Sequence, residues 1–210
     1  MFLDISNDIL VISLLFAVFI VFKYMHHMTD ILVASTHMNK NSNDLWRYSV
    51  VVTATQTDRT LGFIMNQPVL NIDYKQITTI YGLKHTLPRC TVYCGGPLHT
   101  EKVTIIHSPD WRNEGTQQFT PESCITFNDD IVTAIVQGRG PQQWKIMLGY
   151  SEWADGQLDA ECMRPGGWLT QSWDSVVWSQ YKRKEKMWRR IMEKQSVIRS
   201  HQFLDQVWPE

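Results

Sequence analysis

The chain has 210 residues, 20 Lys and Arg against 21 Asp and Glu, a net charge of −1, and 43% hydrophobic residues. That length suffices for one domain with a real core. The near-neutral balance argues against a body that binds nucleic acid through its phosphates.

The first element is residues 9–22, fourteen residues without a charge, broken only by Ser13. A signal peptide needs a basic n-region and a small-residue cleavage site. Here residues 1–8 carry Asp4 and Asp8 and no base, and Lys23, Tyr24, Met25, His26 and His27 follow. A helix of fourteen residues is about 21 Å long against roughly 30 Å of hydrocarbon, and widening it to Ile5 and Met25 gives about twenty residues. A buried core helix is the rival reading, but hydropathy favours a single membrane span. Asp4 and Asp8 precede it while Lys23, Lys40 and Arg47 follow. This asymmetry predicts an outer N-terminus and a body on the cytoplasmic, matrix or stromal side.

Residues 31–35 read as a short buried strand and 37–44, with three Asn, as a loop. Residues 47–55 and 60–66 are strand-like and form a hairpin around a turn at 56–59. Pro68 stops it. Residues 73–81 fit a helix capped by Asp73 and stopped by Gly82. Residues 89–94, 102–107 and 123–127 read as strands. A helix capped by Asn128 or Asp129 runs to Gln137 and ends at Gly138. Then come a strand at 143–150, a helix at 157–164, a strand at 173–178 and a longer helix from 181 to about 198. Hairpin-like neighbours among interspersed helices favour a mixed α+β sheet over a doubly wound parallel one. The domains expected are an anchor (1–28), an α+β body (29–180) and a basic amphipathic helix and tail packed on it (181–210).

Cys90, Cys94, Cys124 and Cys162 are expected to be free thiols in a reducing compartment. Four residues of strand separate Cys90 from Cys94 by roughly 13 Å, too far for one ion. No metal or other cofactor is expected. Residues 182–194 hold seven bases and two acids, +5 in all, which leaves −6 for the rest of the chain.

A family pattern emerges from Asn66-Gln67-Pro68, Cys94-Gly95-Gly96-Pro97, the strand holding His107, Leu148-Gly149-Tyr150-Ser151-Glu152-Trp153, Gly156-Gln157-Leu158-Asp159-Ala160-Glu161 and Trp168-Leu169. In this order they resemble the AlgH/YqgE family of small bacterial proteins, from about residue 31 to about 190. The resemblance implies a compact α+β fold with a mixed, partly barrel-like sheet flanked by helices. It implies no settled reaction, although members are often described as transcriptional regulators. The chain departs from the pattern at Ala54-Thr55, where an acid and a histidine are usual, at Ser151-Glu152, where a small residue usually precedes the tryptophan loop, and in its N-terminal segment.

The remaining motifs weigh towards structure. Gly149-Tyr-Ser151-Glu-Trp153 lacks the last glycine of a nucleophile elbow. Gly95-Gly96-Pro97 could cradle a phosphate, but no Lys-Ser/Thr pair follows it. His107, in an apolar strand, reads as a satisfied histidine. Asp159 and Glu161, two apart on a helix, point to different faces and make a poor acid–base pair. A candidate pocket nevertheless comprises Asn66, Gly95, Gly96, Pro97, His107, Gly149, Trp153, Gly156 and Gln157. A candidate surface for an acidic partner or anionic lipid comprises Lys182, Arg183, Lys186, Arg189 and Arg190, opposite Val177, Tyr181, Trp188, Ile191 and Ile198. The expectation is a membrane-tethered, non-catalytic binding module serving a membrane complex of other protein subunits. The alternatives are an anchored regulator or small-ligand binder and, behind these, an enzyme using the pocket. No nucleic-acid partner is expected.

Overall fold

The computed structural model describes residues 30–41, 45–56, 58–80, 82, 85–126 and 128–207. The uncharged run at 9–22, the helix end at Tyr81 and the strand end at Phe127 lie outside the described residues. Among those described, no helix is long and apolar enough to cross a membrane.

The strands are β1 (Asp30–Ala34), β2 (Val50–Thr55), β3 (Arg59–Ile64), β4 (Val92–Cys94), β5 (Leu98–His107), β6 (Thr116–Thr120), β7 (Ser123–Thr126), β8 (Trp144–Ala154) and β9 (Trp168–Ser172). They form one nine-stranded sheet ordered β6-β7-β5-β8-β3-β2-β1-β9, with β4 beside β8. Every pairing is antiparallel except β4 with β8. The helices are α1 (Thr36–Asn41), α2 (Tyr74–Ile80), α3 (Asp130–Val136), α4 (Gln157–Met163) and α5 (Lys184–Val207), with a 3-10 turn at Ser175–Trp178. This is an α+β fold whose antiparallel sheet curls into a half-barrel.

Alternation along each strand sorts its side chains between two faces. Ile31 and Val33 of β1, Val50 and Val52 of β2, and Met147 of β8 meet Phe63, Tyr93 and Ile106 inside the curl, where Val177, Met187 and Ile191 cover them. The outer face carries two smaller cores. Val92, Ile105, Ile146 and Leu148 pack under α2 and α3 through Ile77, Ile131 and Ile135. Leu32, Val51 and Ile64 pack under α4 with Trp153, Leu158 and Trp168.

One residue joins the two halves. The N-terminal part of β8 pairs with β4 and β5, and its C-terminal part with β3. Between them Gly149 takes φ +68. Before it, Met147 faces inward and Ile146 and Leu148 outward; after it, Tyr150 packs against the inner core and Trp153 lies in an outer one. The inward parity therefore changes from odd to even at Gly149, which lets one strand serve both halves. A Cβ there would stand 2.5 Å from the Leu98 carbonyl oxygen. Gly149→Ala should accordingly cost about 3 kcal/mol by combining left-handed strain with overpacking. Urea unfolding measures it, and a loss under about 1 kcal/mol would mean that the corner relaxes freely.

The hairpin of β2 and β3 is as the sequence predicts, and its register runs from Val51 opposite Ile64 to Thr55 opposite Thr60. Four readings need correction. Residues 37–44 are not wholly loop, since α1 forms there with the Met38 N–H donating to Ser35 Oγ at 3.1 Å, an N-cap that outweighs the asparagines. Residues 173–178 make no strand, because Asp174 accepts from the Val176 N–H at 2.9 Å and starts the 3-10 turn. β6 and β9 were not legible as strands. β6 (TQQFT) is a polar edge strand; β9 (WLTQS) owes its conformation to β1, which it pairs along five residues. The long helix begins at Lys184, not at 181, and the side chain of Ile198 lies outside the description.

Candidate functional site

A cleft of about 700 Å³ opens over the outer face of the β3–β8 corner, between α1 and α4. Its floor comes from β8, where Gly149 has turned Ser151 and Trp153 towards α4. Trp153 is 4% exposed. Its Nε1–H donates to Glu161 Oε2 at 3.1 Å, and the Trp168 Nε1–H donates to the same oxygen at 3.0 Å. The other carboxylate oxygen accepts from Gln157 Nε2 at 3.0 Å, a contact along one face of α4 at spacing four. Trp168 also meets Trp46 edge-on, with centroids 5.7 Å apart. Glu161 is thus the hub of an indole-walled cleft. Ser151 Oγ, which lines it, is buried without a hydrogen-bond partner. At the rim, Arg59 stands 3.6 Å from Glu152.

Of the pocket residues expected from the sequence, Pro97, Trp153 and Gln157 line this cleft, and Gly156 is the left-handed residue preceding α4. The others lie elsewhere or serve the frame. Gly95 and Gly96 do not form an open cradle, because a Cβ on either would run into the β8 backbone at Gly149 and Tyr150. Asn66 is a buried clip: its Oδ1 accepts from the Val50 N–H at 3.0 Å while Nδ2 donates to the Tyr48 and Lys184 carbonyls. His107 is fully buried. Its Nδ1–H donates to the Ser108 carbonyl at 2.8 Å, leaving Nε2 to accept from the Thr126 hydroxyl at 3.0 Å. Burial holds this imidazole below its ordinary value and so neutral. Ser151 sits inside β8 rather than at a strand–helix elbow. The four thiols are free, and burial raises all of them, Cys90 to about 12. They are therefore poor nucleophiles.

The basic residues just before and along the first turns of α5 form an exposed ridge. Met187 and Ile191 enter the inner core, and the Trp188 Nε1–H donates to the Ala34 carbonyl at 2.7 Å. Lys182, Arg183, Lys186, Arg189 and Arg190 remain exposed. Arg183 lies 4.0 Å from Glu185. None of the ion pairs among the described residues involves Lys182, Lys186, Arg189 or Arg190.

Sequence reasoning missed the most unusual cation. Lys145 shares the inward face of β8 with Met147 and is 2% exposed. Its Nζ donates to the Met65 carbonyl at 2.7 Å and the Ser179 carbonyl at 3.1 Å, and lies 4.4 Å from the Tyr93 ring centroid. Burial pushes the amine down from 10.5 to about 7. It does not line the cleft; it clamps the segment before α5 to the end of β3. A lysine between Trp144 and Ile146, on a strand of period two, was the available signal.

Residues 31–199 match the family model described as DUF179, AlgH-like. The UPF0301 protein of Rhizorhabdus wittichii is 33% identical over 127 residues, 57% of this chain and 67% of the relative. The UPF0301 protein of Sphingopyxis alaskensis is 31% identical over 121 residues, 57% and 65% of the two chains. The chain thus spans about two thirds of the length of these relatives. Among solved structures, the solution structure of the AlgH protein from Pseudomonas aeruginosa superposes with a TM-score of 0.63 at 22% identity, covering 78% of this chain and 86% of that one. A crystal structure from Corynebacterium diphtheriae does so at 0.60 and 16% identity, covering 79% and 85%. At such identities the likeness is one of fold.

Proposed function

The chain belongs to the AlgH-like family, and from that premise we propose that it is a non-catalytic interaction module, an accessory or scaffolding subunit of a membrane-bound complex. The observation that carries this reading is the exposed basic ridge of α5, mounted on a helix whose opposite side is committed to the core. Charges grouped in this way attract an acidic protein surface or anionic lipid. The uncharged run at 9–22 supports a tether, with the N-terminus outside and the body on the cytoplasmic, matrix or stromal side. A second reading, an anchored regulator or small-ligand binder, is favoured by the indole-walled cleft.

The test reverses Lys182, Lys186 and Arg189 to Glu in the full-length protein. Stability should change by no more than about 0.5 kcal/mol per exposed site. Co-purification from membranes should fall, and wild-type association should weaken as salt rises, because exposed charges are screened beyond about 8 Å at physiological ionic strength. Unchanged co-purification would mean that the ridge is merely solvated. The same membranes test the tether: release of the wild type by alkaline carbonate would exclude it.

A further inference from the structure

We infer that the cleft between α1, α4 and the β8 corner binds a small organic cation, an ammonium group on a compact apolar body. This does not depend on the basic ridge. Three indoles, Trp46, Trp153 and Trp168, line the cleft and stand edge to face at 86° and 84°. Indole faces attract cations; Trp153 and Trp168 are each 4% exposed, so the ring with surface to offer is the partly exposed Trp46. Charge points to the same ligand independently of the rings. Glu161 is half-buried, and its oxygens accept only from the neutral N–H groups of Trp153, Trp168 and Gln157. No ion pair among the described residues involves it. The three donors fix the carboxylate in place but leave its negative charge without a cationic partner, and a bound ammonium supplies that charge.

A third observation points to a ligand. Ser151 is 3% exposed, and its Oγ has no hydrogen-bond partner although it lines the same cleft. Buried hydroxyls are almost always paired, so Ser151 offers a point for a ligand hydroxyl. The volume, about 700 Å³, lies in the small-molecule range of roughly 300–1,000 Å³. The opposing charge is Arg164, at the exposed rim, where water screens it. Glu152 is already held by Arg59, which leaves Glu161 as the carboxylate for the ligand.

The experiment titrates the full chain, in non-ionic detergent at constant ionic strength, with choline, tetramethylammonium and n-butylammonium while tryptophan fluorescence is followed. 3,3-Dimethyl-1-butanol, which has choline's shape without its charge, runs in parallel. At least one cation should give a saturable change half complete below about 1 mM, and the neutral alcohol should bind roughly tenfold more weakly than choline. Glu161→Gln keeps an acceptor for both indoles and removes the charge; it should weaken cation binding roughly tenfold and leave the alcohol unchanged. If the alcohol binds as tightly as choline, or if none of the three cations saturates, the inference is overturned. That comparison needs only the wild type, so it stands even where a variant fails to fold. Its outcome is also separate from the co-purification test of the basic ridge.

Discussion

Lys145→Ala should destabilise the protein by about 3–5 kcal/mol, whereas Lys145→Met should cost no more than about 2 kcal/mol. Alanine removes the whole stem from the inner core and leaves the Met65 and Ser179 carbonyls without their donor. Methionine keeps most of the volume; it loses the hydrogen bonds and the ammonium over the Tyr93 ring, while also removing an amine that is costly to bury. The pH dependence identifies the cause. The folded-state amine titrates near 7, against an ordinary value of 10.5. Above pH 7 the unfolded chain therefore holds a proton that the folded chain has shed, and stability rises with pH by up to about 1.4 kcal/mol per unit.

The interval to watch is pH 7 to about 8.5. His107, held low by burial, contributes a rise that is over by about its ordinary value of 6.5. Cys90 and Tyr93, each raised to about 12 by burial, act in the opposite direction at higher pH, because the unfolded chain ionises first. Lys145→Met should flatten the rise between pH 7 and 8.5 in denaturant titrations. An unchanged slope would place the charge elsewhere.

Trp153→Ala should cost about 3–5 kcal/mol. The indole is 4% exposed, and it fills the space that a side chain at Gly62 would need, its Cζ3 lying 2.6 Å from a Cβ built there. It also donates one of the two indole hydrogen bonds that fix Glu161. Removing it opens a void above β3 and loosens the packing of α4. Trp153→Phe, which keeps most of the ring and loses the N–H, should cost about 1–2 kcal/mol. A loss below about 1 kcal/mol for the alanine variant would make Trp153 a surface contact and the cleft a crevice without a framed wall.

Part of the site was legible in the chain. Pro97, Trp153 and Gln157 belong to strings that carry the family pattern, and they meet on the cleft. Glu161 was legible only as one acid of a poor pair with Asp159. Its role depends on two indoles and an amide reached from β8, β9 and the preceding turn of α4. Trp46 and Trp168 gave no local sign of belonging together, because the segment after α1 and the start of β9 meet only when the sheet curls.

The sequence by itself determined what is set within a few residues. The β2–β3 hairpin follows from two β-branched runs about a polar turn. The reach of α3 follows from its acidic start and from Gly138, which takes φ +69 beyond its end. The sidedness of the first turns of α5 follows from Lys186, Arg189 and Arg190 standing opposite Trp188 and Ile191. The tertiary structure decided what depends on distant parts of the chain: the exchange of faces at Gly149, the close packing of Gly95 and Gly96 on β8, the strand conformation of β9, and the burial of Lys145. Local periodicity and capping act through neighbours three or four residues apart. Lys145 instead reaches a carbonyl 80 residues away and Trp188 one 154 residues away. Such contacts have no local signature, because the closure of the sheet is what makes them neighbours.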